Sequence, residues 1–309
     1  IGGKNYKESE YNRVIQAKRQ VGSTIKPFLY SMAMESGYTP CDEVINQTQS
    51  ILTSDGKIWS PKDEGTTKIG EYVSIKWGLS RSNNNVTAFL MSKLSPRGFR
   101  DLLYEYGLRN RSIAPVPAIC LGTCDVSVSE MVGAYSAFPN KGIRMTPLYA
   151  TRIESNNGEL LESFSSTSYE VISEETSYKM IDMMKAVISE GTGVRLKRYM
   201  HSSNVAGKTG TTNNQSDAWF MGYTPDLVVG CWVGGEDRSI HFNSMQFGQG
   251  SRMALPVCGI FLDSVYSDSL ELGYLPSTPF DIPLDFDPCS SDMDDFRDNS
   301  HEQYFIESF

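Results

Sequence analysis

In the stretch VGSTIKPFLY, Ser23 and Lys26 stand three positions apart, directly ahead of an apolar run. On a helix, side chains at i and i+3 share one face. A serine hydroxyl is a weak nucleophile until a base takes its proton. Lysine can be that base only as the neutral amine. Its ordinary pKa is about 10.4, so neutrality near physiological pH opposes about 4 kcal/mol. A second ammonium roughly 4 Å away supplies repulsion of that order at an effective dielectric near 20. Burial adds to it. A Ser23–Lys26 pair therefore calls for another cation aimed at the same point.

The S-x-x-K pattern is weak by itself. Ser54-Asp55-Gly56-Lys57 also fits it, on a polar DG turn. The plain alternative for Ser23 is a helix N-cap followed by an exposed lysine. Ser82-Asn83-Asn84 forms an S-x-N, a pattern shared with Ser155-Asn156-Asn157 and Ser202-Ser203-Asn204. Lys208-Thr209-Gly210 is the single KTG of the chain and falls on a predicted strand. Lys208 is the second cation that the chemistry requires. No GxSxG elbow is present, and the three histidines, His201, His241 and His301, form no HExxH, so neither a His-based triad nor a metal site is expected. No phosphate-binding GxxxxGK[ST] loop is present, and no cofactor is expected.

The chain has 309 residues, 39% of them hydrophobic and 21% charged, which fits a folded protein. A net charge of −9 argues against nucleic acid as a partner, because phosphate binding needs a basic face. The best apolar run, DLVVGCWVGG, is strand-sized rather than membrane-spanning. The six cysteines, Cys41, Cys120, Cys124, Cys231, Cys258 and Cys289, match no zinc or disulfide framework and read as small buried residues. The start at Ile1 reads as that of a fragment or processed piece.

The first twenty residues read as a loop-rich lead-in. Ser23 opens a predicted helix to about Ser36, stopped by Gly37. Further helices are predicted over Tyr72 to Leu79, Asn85 to Leu94, and SPRGFRDLLYEYG. Ser127 and Glu130 have capping-box spacing before a helix predicted to stop near Asn140–Gly142. A hairpin is expected around Asn156-Asn157-Gly158, and Ser173 caps a helix closed by Gly191. NVAGKTGT, DAWFMGYT and LVVGCWVGG read as three strands, and ALPVCGIFLDSVY as a late helix. From Pro276 the chain is acidic, with Asp281, Asp285, Asp287, Asp292, Asp294, Asp295 and Asp298, and reads as a poorly ordered, solvated tail over 276–309. The expected fold class is α+β, with helices covering an antiparallel sheet.

The flanks of the three motifs extend the match. AKRQVGSTIKPFLY, GLSRSNNNVTAFL, AGKTGTTNNQSDAWFMGYTPDLVVGCWVGG and GQGSRMALPV resemble the transpeptidase domain of bifunctional, class A penicillin-binding proteins. Asn5, Asn12 and Arg13 resemble the segment ahead of the family's nucleophile. The resemblance implies a serine β-lactamase/D,D-transpeptidase-like fold over residues 1–275, with an antiparallel sheet flanked by helices, a helical lobe, and the site in the cleft between them. It implies Ser23 as nucleophile, Lys26 as base, Ser82 as proton relay and Lys208 as the cation that keeps the site positive. Asn84, Thr209, Gly210 and Thr211 would bind substrate, and the backbone N–H groups of Ser23 and Thr211 would form the oxyanion hole. The partners implied are peptidoglycan stem peptides, a D-Ala-D-Ala donor and an amine acceptor, with β-lactams as inhibitors. Full-length relatives carry a membrane anchor and a glycosyltransferase domain and work on the periplasmic face of the cell membrane. Two departures from the wider pattern stand out: Asn83 occupies the middle of the S-D-N motif, and no E-x-x-L-N glutamate for hydrolysis is present. A D,D-carboxypeptidase or β-lactamase, and a β-lactam-sensing domain that acylates without turnover, remain as alternatives.

Overall fold

The computed structural model describes residues 7, 10–61, 67–110, 113–200 and 204–290. Asn5, His201, Ser202, Ser203, His301 and the acidic run from Asp292 onward lie outside the described residues. In chain order the α-helices are α1 (Lys26–Glu35), α2 (Ile75–Ser80), α3 (Asn84–Lys93), α4 (Pro96–Glu105), α5 (Val128–Tyr135), α6 (Glu174–Ser189), α7 (Met245–Gly248), α8 (Gly250–Ser267) and α9 (Ser269–Leu272). The main sheet is an antiparallel meander of Ala206–Thr211, Asp217–Tyr223 and Val228–Gly234. Its register sets Lys208 opposite Met221 and Thr211 opposite Ala218. Every residue of the middle strand is buried. The cover explains this: α6 packs on the first strand, α8 on the second and third, and α5 on the third.

A second, helical region gathers α1, α2, α3 and α4, and its core reaches the sheet through aromatic rings. Phe28 of α1 is fully buried, with ring centroids 4.6 Å from Tyr106, 5.3 Å from Tyr135 and 5.8 Å from Phe138. Phe138 in turn stacks on Tyr223 of the middle strand at 6.1 Å. Such rings bury large apolar areas and lock relative orientation. The cluster therefore fixes α1, which follows the Ser23 turn, against the sheet that carries Lys208.

Helix starts follow their side chains. Ser127 Oγ accepts from the Glu130 N–H at 3.2 Å while the Ser127 N–H donates to Glu130 Oε2 at 2.7 Å, completing the capping box. Ser173 accepts from the Thr176 N–H, and the hairpin of Arg152–Glu154 and Leu160–Ser163 surrounds Asn156-Asn157-Gly158 as expected.

Elsewhere the structure differs from the sequence expectations. Ser23 is not an N-cap: it lies inside a 3₁₀ turn, Gly22–Ile25, and the α-helix starts at Lys26. Tyr72–Ser74 is a strand paired with Glu43–Ile45, and only from Ile75 does a helix begin, capped by Ser74 Oγ accepting from the Trp77 N–H. Val73 is buried between the less buried Tyr72 and Ser74, the alternation of a half-buried strand. The lead-in is not all loop, because Arg19–Gln20 pairs with Asp125–Val126. α5 ends at Tyr135, short of Asn140, and α8 starts at Gly250, ahead of the predicted Ala254.

The largest difference concerns the 276 boundary. Residues 276–290 fold back over the domain instead of trailing from it. Phe280 is 8% exposed and sits 5.9 Å, edge to face, from Tyr223, and Phe286 lies 5.2 Å from Tyr178 of α6. Cys289 forms a disulfide with Cys41 across a separation of 248 residues, so these two cysteines are not simply small buried residues. Acidic residues between the aromatic anchors mask this packing in the composition. Among the described residues, no helix is long and apolar enough to cross a membrane.

A crosslink closing so long a loop is worth up to about 5 kcal/mol in the chain-entropy account. Cys289→Ser is expected to lower the urea midpoint under non-reducing conditions and to speed amide exchange around Phe280. An unchanged midpoint and exchange rate would show that the segment is held without the crosslink.

Candidate active site

Ser23, Ser82, Asn84, Thr209 and Thr211 line one cavity of about 800 Å³, together with Trp77, Arg81, Thr192 and Gln249. Lys26 and Lys208 stand behind its wall, both fully buried. The two amines meet at one hydroxyl. Lys208 Nζ lies 2.8 Å from Ser82 Oγ, and Lys26 Nζ lies 3.4 Å from it. Lys26 Nζ also donates to the Ser82 carbonyl and to Asn84 Oδ1, each at 2.7 Å. Its longer contacts, to Ser82 Oγ at 3.4 Å and to the Asn83 carbonyl at 3.5 Å, complete a polar cage around the amine. Lys208 Nζ donates in addition to the Thr209 carbonyl at 3.1 Å.

Ser82 can serve both lysines because of its backbone. Its φ of 57° is left-handed, a conformation uncommon outside glycine. It turns the Ser82 carbonyl and hydroxyl toward the same amine, in the short link between α2 and α3. Asn83, next in line, caps α3 by accepting from the Val86 N–H at 2.8 Å and donates through Nδ2 to Asn46 Oδ1 at 3.2 Å. An aspartate could make the cap but not that second bond. This gives a physical reason for asparagine at the middle of the motif.

The Gly22–Ile25 turn that carries Ser23 and the KTG strand approach closely because glycines allow it. Gly22 has φ +54°, and a Cβ there would fall 2.8 Å from the Thr211 carbonyl oxygen. Gly210 does not line the cavity. A Cβ on it would stand 2.7 Å from the Val21 carbonyl oxygen and 2.9 Å from Thr24 Cγ2, so its bare backbone receives the turn. Tyr135 Oη holds the turn from beneath, donating to the Thr24 carbonyl at 2.6 Å. Thr209 Oγ1 shares a 2.7 Å hydrogen bond with Thr192 Oγ1, while Thr211 Oγ1 accepts from the Gly250 N–H at 3.1 Å and keeps its own proton to donate. Ser54, the other S-x-x-K serine, does not line this cavity.

Two groups went unnoticed in the sequence. Thr192 carries no local signal, since a threonine between two glycines reads as a turn. The second is a buried pair, Arg19 Nε donating to Asp217 Oδ1 at 2.7 Å, with Trp232 Nε1 on the same oxygen at 2.9 Å. Thr212 and Ser216 hydroxyls take the other oxygen at 3.2 and 3.0 Å. This network fastens the strand ahead of Ser23 to the turn after Thr211. Complementary charges 198 residues apart give no warning in one dimension.

Burial pushes the Lys208 pKa well below its ordinary value, and the charge of Lys26 pushes it further the same way. No carboxylate is hydrogen-bonded to Lys208 among the described residues. No cluster of His, Cys, Asp and Glu among the described residues could hold a metal ion.

The sheet and the helical region have known counterparts. The family profile described as "Penicillin binding protein transpeptidase domain" matches residues 2–230, and the chain belongs to that family. Among its relatives, Penicillin-binding protein 1A of Aquifex aeolicus is 33% identical over 258 residues, 83% of this chain and 34% of that protein. Penicillin-binding protein 1A of Pseudomonas aeruginosa is 29% identical over 345 residues, 94% of this chain and 41% of that protein. The crystal structure of Penicillin-Binding Protein 1A from Haemophilus influenzae superposes with a TM-score of 0.82 at 25% identity, covering 92% of this chain and 47% of that one. The chain therefore spans only 34% and 41% of the length of these two curated relatives.

The lowered Lys208 pKa has a sign that stability can report. Between its folded value and about 10.4 in the unfolded chain, the unfolded state binds the extra proton. Stability contributed by this group therefore rises with pH across that interval and is lost as pH falls through it. Lys208→Met is expected to flatten this slope on the alkaline side, below about pH 10.4, measured as urea midpoints. Equal slopes in the two proteins would contradict the shift.

Proposed function

We propose that this chain is a D,D-transpeptidase that cross-links peptidoglycan stem peptides through an acyl-enzyme on Ser23. The observation that carries the reading is the meeting of Lys26 and Lys208 at the Ser82 hydroxyl, beside a cavity that Ser23 lines. When the donor carboxylate settles beside Lys208 it stabilises a proton on that amine, and Lys26, neutral in that state, takes the Ser23 proton while Ser23 Oγ attacks the carbonyl of the penultimate D-alanine. The developing oxyanion is met by the N–H groups of Ser23 and Thr211. Collapse breaks the peptide C–N bond, and the departing D-alanine amine receives a proton through Ser82 from the lysine pair. The terminal carboxylate of the donor lies near Lys208, Thr209 and Thr211, where a charge-assisted contact neutralises the site. Asn84 orients Lys26 and the donor backbone. An amine of a second stem peptide then attacks the ester, forming the new amide and returning the proton to the Ser23 oxygen.

β-Lactams fit the same scheme, because they present a strained amide where the D-Ala-D-Ala bond would lie. The lack of an E-x-x-L-N glutamate supports slow hydrolysis of the adduct and so favours transfer to an amine over transfer to water. The extracytoplasmic face of the membrane, with an anchor elsewhere in the full-length protein, is the location that fits this substrate.

Fluorescent penicillin is expected to label the chain and to fail on Ser23→Ala. Lys26→Met is expected to slow labelling by at least ~100-fold, the lower end for loss of a general base. Persistent labelling of Ser23→Ala would move the nucleophile elsewhere. An adduct lasting hours supports the transpeptidase, whereas one lasting seconds would favour a β-lactamase.

A further inference from the structure

A second cavity, about 550 Å³, opens elsewhere on the chain and shares no lining residue with the first. It lies where the end of α4 meets the strands Ile143–Met145 and Ser168–Glu170. Its lining includes Tyr104, Glu105, Arg109, Arg144, Tyr169 and Glu170. Its size is that of small-molecule sites.

Arg144 forms the floor. It is only 6% exposed, and its Nε is buried with no hydrogen-bond acceptor. Tyr169 faces it across the strand pair, with the guanidinium carbon 4.5 Å from the ring centroid. On the other side the guanidinium lies against Gly107, where φ is +88° and a Cβ would fall 2.7 Å from Nη1. The group is thus held between a ring and a bare backbone, a built cradle rather than a wandering surface arginine. Burial pulls its pKa down from the ordinary arginine value, Tyr169 opposes this in part, and the charge of Arg109 acts with burial. Buried guanidinium groups normally have a carboxylate or carbonyl partner.

The rim carries charges of both signs. Glu105, Arg109 and Glu170 are exposed. None of these three, nor Arg144, forms an ion pair among the described residues. Two cations and two anions around one cavity sum to zero. A bare anion would meet Arg144 but also both glutamates, and a bare cation would meet the reverse conflict. A ligand with one charge of each sign satisfies all four.

We propose that this cavity binds a small zwitterion, an amino acid or short peptide, with its carboxylate on Arg144 and Arg109 and its ammonium toward Glu105 and Glu170. This site is independent of the Ser23 chemistry and stands or falls without it.

Calorimetric titration with glycylglycine as the probe tests it. Saturable binding is expected, weakened at least ~10-fold in Arg144→Met and in Arg109→Gln, the scale of one charge-assisted contact. Arg109 is exposed, so its replacement leaves the fold intact and keeps the test sound if Arg144→Met misfolds. Binding should persist in Lys208→Met, which alters the other cavity. N-acetylglycylglycine and glycylglycinamide, each missing one charge, should bind at least ~10-fold more weakly. No heat of binding at about 10 mM glycylglycine, a contribution below roughly 3 kcal/mol, would overturn the proposal. So would binding unchanged by Arg109→Gln, or inorganic phosphate binding as tightly as the dipeptide.

Discussion

Two buried lysines converge on one serine hydroxyl, and much of the surrounding architecture follows from holding them there. Like charges at such separation in a buried setting repel by several kcal/mol even at a generous effective dielectric. The folded chain answers this with a pKa for Lys208 driven downward by burial first and by Lys26 second. It also supplies Lys26 with two carbonyl-type acceptors at 2.7 Å. In the proposed reaction the same repulsion would make the site receptive to a carboxylate and leave one amine ready to accept a proton, so that binding and proton transfer would draw on a single unfavourable contact.

Keeping that contact demands rigidity on both sides. The Lys208 side is the first strand of the sheet, its neighbour buried at every position. The Lys26 side is α1, fixed by Phe28 in an aromatic cluster that reaches Tyr223 of the sheet. Between them Ser82 accepts a left-handed backbone so that both its oxygens serve the amines. The strain is modest, on the order of 1–3 kcal/mol, and the surrounding bonds over-determine it. The Arg19–Asp217–Trp232 network closes the arrangement from the far end, where breaking one partner would leave a buried charge alone.

Much of this was readable in one dimension because the signals are local. A serine three residues from a lysine, a single KTG on a strand, a Ser127–Glu130 box and an Asn-Asn-Gly turn each state their geometry within a few residues. What stayed hidden depends on distant partners. Tyr72–Ser74 looked helical until its pairing with Glu43–Ile45 was seen, because three residues cannot declare a period. The segment after Pro276 looked solvated because acidic residues outnumber the aromatic anchors that bury it. Cys41 and Cys289 lie 248 residues apart, beyond any spacing rule. The motif marks Gly210 without revealing that its missing side chain makes room for the Val21–Thr24 turn, a contact between segments far apart in the chain.

Burial and the neighbouring charge of Lys26 make Lys208 hold its proton less readily than an ordinary lysine. Nitrogen-15 NMR titration of the lysine side chains, assigned by Lys26→Met and Lys208→Met, tests it directly. Lys208 is expected to titrate well below the ordinary lysine value in the free protein, and its pKa to rise when Lys26 is removed. Ordinary titration of both amines near pH 10, unaltered by removing either one, would contradict it.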